Sequence, residues 1–100
     1  MEQIERIKAM ELYLDRASQA VIQLSAALDD YAVVQKALSE LSAYYSSNEW
    51  KEDYAADEQN RLPKSLKRGV LSEDAIWNLL SDSRELNSRL LEMATELASH

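Results

Sequence analysis

AYYSSNEWKEDYAADEQNRLPKSLKRGVLSEDAIWNLL, residues 43–80, is the stretch that decides how this 100-residue chain folds. It holds the only proline, Pro63, the only glycine, Gly69, both tryptophans and three of the five tyrosines. Proline fixes φ and removes a donor, and glycine loosens the backbone, so the strongest chain-breaking chemistry is confined to this one segment. A β-rich fold needs such residues at many tight turns. Two in 100, against a usual share of about 12%, point to an all-α protein whose main connection lies here.

Working outward toward the N-terminus, apolar or small residues recur at Ile4, Ile7, Met10, Leu14, Ala17, Val21, Leu24, Leu28, Tyr31, Val34, Leu38, Leu41 and Tyr45. Steps of three and four are the helical period. They predict one long helix over 2–47, of the kind found in coiled coils and bundles. Its weakest point is Asp29-Asp30, where a short polar side chain suits the start of a new helix. The stripe keeps its phase across that pair, which favours one continuous or kinked helix over two.

Toward the C-terminus, Ser72 followed by Glu73 and Asp74 reads as an N-cap with acids in the first turn. Ile76, Leu79 or Leu80, Ser83, Leu86, Leu90, Met93 and Leu97 then predict a helix over about 73–98. Between the two long elements, Asn48 reads as the N-cap of a short helix over about 49–59. Pro63 disfavours helical geometry at Leu62, so 60–71 reads as a loop. Gly69, after Lys67-Arg68, reads as a left-handed residue that ends a helical turn. The expected architecture is a single all-α domain, a long antiparallel hairpin with the short helix and loop near its turn end.

Net charge is −7, which opposes general binding to nucleic acid or to an anionic membrane. The charge is unevenly spread. Residues 49–58 carry five acids against Lys51, whereas 59–71 carry Arg61, Lys64, Lys67 and Arg68 with no acid. No apolar leader opens the chain. The longest uncharged run, 17–28, is short of the ~20 residues that a membrane span requires. A cytoplasmic location is expected.

The string ADEQNRLPKSLKRGVLSEDAIWNLL, preceded by AYYSSNEWKEDY, resembles a bacterial family known as domain of unknown function 4298. The opening MEQIERIKAMELYLDRA is similar to its N-terminal helix, and the most specific part of the likeness is LPKSLKRGVLSEDAIWNLL at 62–80. The resemblance implies a small helical protein. It implies no established activity, substrate or catalytic residue.

The chain has no cysteine, and its one histidine, His100, is the last residue, where a frayed end holds no base or ligand in place. Ser/His/Asp and Cys/His nucleophile systems and ordinary zinc sites are thereby excluded. No metal and no cofactor is expected, and no enzyme. Glu49, Asp53 and Asp57 share one helix face, and read more simply as solvated acids or partners of the basic loop than as a cation site. Tyr44, Tyr45, Trp50, Tyr54 and Trp77 are candidates for an aromatic pocket, although packing or an interface between subunits is the plainer reading.

Arg61, Lys64, Lys67, Arg68 and Ser72 are the candidate anion site. They place four cations beside a helix start, whose free N–H groups and dipole favour a phosphate or carboxylate. Internal pairing with the acids of 49–58 is the competing reading. Two functions follow. The first is a non-enzymatic interaction or self-assembly module, forming a homo-oligomer or meeting a protein partner. The alternative is a regulator that binds an anion, a nucleotide or an RNA phosphate at 61–72.

Overall fold

The computed structural model describes residues 2–99, so His100 lies outside the described residues. The fold is all-α. The described residues form four α-helices, α1 (Gln3–Val33), α2 (Gln35–Tyr45), α3 (Asn48–Glu58) and α4 (Ala75–Ala98), the first three closely joined and the last reached through residues 59–74, which include a 3-10 turn, Gly69–Leu71. No strand occurs among the described residues. The chain divides into two compact units, residues 1–36 and 37–100.

The first unit is essentially α1. Its N-terminal amides are satisfied by Glu2, whose carboxylate accepts from the Ile4 and Glu5 N–H groups at 3.1 and 3.4 Å. The helix then runs through Asp29-Asp30 without a break. The interruption comes at Val34, four residues beyond the point at which the sequence looked weakest. Three β-branched or aromatic residues crowd that point, Tyr31, Val33 and Val34, and such side chains lose rotamer freedom against the preceding turn. The Gln35 side-chain amide donates to the Tyr31 carbonyl at 2.9 Å, the oxygen that an unbroken ladder would join to the Gln35 backbone. Side-chain insertion into the ladder is a known cause of such irregularities. No residue of α1 is buried.

In the second unit α3 and α4 both meet the 3-10 turn. α2 ends at Tyr45, and α3 is capped by Ser47, not by Asn48 as its neighbours suggested. The Ser47 hydroxyl accepts from the Trp50 N–H at 3.2 Å and donates to the Tyr44 carbonyl, so one oxygen closes α2 and opens α3. At the far end of α3 the Arg61 N–H reaches back to the Ala56 carbonyl at 2.9 Å, and the Asn60 N–H to Asp57 at 3.1 Å. This bond pair is the Schellman termination, which requires a left-handed residue between. Asn60 supplies it, with φ of 56°.

Gly69 does not have the role expected of it. It begins the 3-10 turn instead of ending a helical one, and no glycine in the chain has positive φ. A Cβ added there would meet nothing within 4 Å. The turn carries Leu71 inward. Leu71 and Ile76, 6% and 3% exposed, are the buried apolar pair of the described residues, and they anchor the turn and the start of α4.

Candidate functional site

The most developed side-chain arrangement is the junction of α2, α3, the 3-10 turn and the start of α4. The α2–α3 elbow puts Tyr45 and Trp50 in edge contact, with ring centroids 5.1 Å apart at 69°. One helical turn later Tyr54 stacks on Trp50 at 5.2 Å and 22°. Aromatic pairs in these geometries add stability beyond their burial. Each ring also ends in a polar group, and all three reach across to the segment that follows the basic loop.

The Trp50 Nε1–H donates to the Val70 carbonyl at 2.9 Å. The Tyr45 hydroxyl donates to the Glu73 carbonyl at 2.9 Å, and the Tyr54 hydroxyl to Glu73 Oε1 at 2.7 Å. Glu73 is therefore gripped at both backbone and side chain. Tyr44, outside the stack, donates to Asp53 Oδ2 at 2.6 Å. The hydrogen bond to Glu73 is the main cause that pushes the Tyr54 hydroxyl up to about 12, with loss of water contact second. Partial burial and then the Asp53 bond raise Tyr44 to about 12 as well. Both phenols stay protonated and act as donors. Neither is poised as a base near neutral pH.

Of the five aromatic residues singled out in the sequence, the structure joins Tyr45, Trp50 and Tyr54 in one stack and leaves Tyr44 beside it. Trp77 lies on α4, 56% exposed and outside that stack. Glu73 and Val70 are the partners that sequence reading missed. Glu73 was read only as an acid suited to a helix start, and a backbone acceptor such as Val70 has no signature in residue type.

The basic loop is partly committed. Arg68 pairs with Asp57 at 2.7 Å, with both side chains about one-third exposed or less. Arg61, Lys64 and Lys67 form no ion pair among the described residues. The Ser72 hydroxyl accepts from the Asp74 and Ala75 N–H groups at 3.3 and 3.1 Å, so its oxygen is taken up in the turn before α4, which starts at Ala75 with Asp74 as its N-cap and not at Glu73 behind Ser72. The acids of α3 separate: Asp53 holds Tyr44, Asp57 holds Arg68. No group of three metal-ligating residues converges among the described residues.

Beside the junction, Leu41, Val70, Ile76 and Leu79 line an open apolar groove of about 380 Å³, with Lys67 and Gly69 along it. Large apolar surface is also exposed on α1, where Ile7, Met10, Leu14, Val21, Leu24 and Leu28 are 44–69% exposed, and on α4, where Leu91, Met93 and Leu97 are exposed as well. No described helix is long and apolar enough to cross a membrane.

A family model described as Domain of unknown function (DUF4298) matches residues 7–93. The match takes in both units and the whole junction, and the chain belongs to that family. No curated protein and no solved structure matches it.

Proposed function

We propose that this member of the DUF4298 family is a non-enzymatic self-assembly module, in which the junction is a structural knot and α1 is the working surface. The observation that carries the reading is the apolar stripe of α1. It runs along a 31-residue helix of which no residue is buried. A contiguous exposed apolar strip of that length is characteristic of a surface that meets another protein. The junction points the other way: its aromatic N–H and O–H groups are bonded internally, which leaves little for a substrate to engage.

A second copy of the chain is the occupant that fits. From Ile7 to Tyr31 the steps alternate four-residue and three-residue spacing without a fault, once the first step of three is taken. That is a seven-residue repeat, which selects a partner helix with the same repeat. Residues 17–28 carry no charge, so two copies of a chain with net charge −7 can approach along this face without repulsion at the seam. The anion-binding alternative has less support, because Arg68 and Ser72 already have partners within the chain.

Light scattering across a dilution series tests the reading. The full chain is expected to form at least a dimer at tens of micromolar, twice its 11.4 kDa or more. The double substitution Leu14→Asp/Leu24→Asp places acids in the seam and is expected to return it to monomer. A wild-type monomer throughout, or a dimer indifferent to that change, removes α1 as the assembly surface.

A further inference from the structure

The self-association just argued leaves open how two copies are oriented, and the placement of residues on α1 chooses between the possibilities. We propose that the two α1 helices pair antiparallel, in the register centred on Gln19, with Met10 of one copy packed on Leu28 of the other; this rests on the self-assembly reading. The seam residues Ile7, Met10, Leu14, Ala17, Val21, Leu24, Leu28 and Tyr31 are spaced symmetrically about Gln19. Reversing one helix about that point therefore brings every seam position onto another seam position. The layers become Ile7 with Tyr31, Met10 with Leu28, Leu14 with Leu24, and Ala17 with Val21.

Packing favours this register over the parallel one. In a parallel pair each residue meets its own equivalent, so Ala17 faces Ala17 and the middle of the seam is underfilled. A gap of that kind forfeits contact on both sides, because interiors pack at near-crystalline density. The antiparallel register matches each Ala17 with Val21 and spreads volume more evenly along the seam.

Charge favours it as well. The last turns of α1 carry Asp29 and Asp30 and no base. Parallel pairing sets four acids together at one end, and like charges so placed repel. Antiparallel pairing sets Asp29 and Asp30 against the end that carries Arg6 and Lys8, and also opposes the helix dipoles favourably. Glu5 and Glu11 temper the attraction at that end, but the cluster of four acids is gone.

The chain contains no cysteine, so introduced thiols report cleanly. Met10→Cys and Leu28→Cys chains are prepared separately, mixed and equilibrated under reducing conditions, then oxidised and run on a denaturing gel without reductant. Residues 10 and 28 lie about 27 Å apart along a helix at 1.5 Å per residue. Antiparallel pairing predicts little cross-linking of either variant alone and a several-fold gain on mixing. Glu11→Cys with Ser25→Cys, which flank the same layers without touching an apolar residue, should behave alike. Cross-linking of each variant to itself, with no gain on mixing, overturns the orientation. Light scattering of the reduced variants separates the two levels of the argument. Dimers without the mixed cross-link overturn the register alone, whereas monomers overturn self-assembly with it.

Discussion

α1 and the α2–α3 junction are both helical, yet they are specified in different ways. α1 depends on period: many similar residues recur at the right spacing, and most of their side chains stay exposed. The junction depends on a few unlike groups, each with one assigned partner: Trp50 to Val70, Tyr45 and Tyr54 to Glu73, Arg68 to Asp57. Stripe residues can slide or find a new partner at modest cost. Directional bonds from rigid rings cannot. These bonds fix the shape of the junction, whereas α1 keeps its apolar side chains exposed.

The largest expected effect is at the centre of the junction. Trp50→Ala removes two ring contacts and the bond to the Val70 carbonyl together. Large aromatic truncations cost about 3–5 kcal/mol, and urea unfolding followed by circular dichroism should find a loss in that range. A change of less than about 1 kcal/mol would mean that the unit does not depend on its aromatic stack.

A smaller effect is expected at the elbow. Ser47→Ala deletes the cap of α3 and the tie to the Tyr44 carbonyl at once. Loss of an N-cap costs about 0.5–2 kcal/mol, and the same unfolding measurement reads it. Asn48→Ala, one residue on, should be close to neutral. Reversal of that order would return the cap to Asn48.

The junction's polar ties can be followed by titration. Tyr54 gains its raised value of about 12 chiefly through Glu73, and an ordinary tyrosine ionises near 10. A group whose folded pKa exceeds its unfolded one stabilises the fold fully below the unfolded value. That contribution fades as pH climbs from about 10 through about 12. Phenolate absorbance should therefore show a late-ionising class containing Tyr44 and Tyr54. Glu73→Gln should move Tyr54 back toward 10 and leave Tyr44 late. An unchanged titration would mean that the Glu73 bond is not kept in solution.

The contrast between the regions also marks what could be read from sequence. Composition pointed to all-α, because two chain breakers in 100 residues permit little else. The aromatic stack was half legible: Trp50 and Tyr54, four apart, had to share a face, whereas Trp77 fell on a different one. The interruption at Val34 had no distinctive signal, because the two successive steps of three at Leu28, Tyr31 and Val34 occur also at Ile4, Ile7 and Met10, inside unbroken α1. Gly69 misled because a glycine after two bases resembles a helix end. The left-handed position fell to Asn60, the other residue type that tolerates it, in a turn set by bonds to Ala56 and Asp57. Helices were legible because period is a property of many residues. The ties across the junction were not, since three of them end on a backbone carbonyl or on one carboxylate among many.

The smallest expected effect lies in α1, and it tests the comparison most directly. Leu14 is 59% exposed in the chain by itself, so its truncation removes little that is buried there. At a dilution where the chain is monomeric, Leu14→Ala should leave the unfolding of the second unit within about 0.5 kcal/mol of wild type, as at an ordinary surface site. At tens of micromolar the same change should weaken self-association by tenfold or more, since the leucine would then line a closed seam and its loss costs about 2 kcal/mol or more. A side chain that matters only when copies meet is the signature of an assembly surface. A loss of stability equally large at both concentrations would show that Leu14 is held within its own chain, and the division between fixed junction and exposed helix would have to be withdrawn.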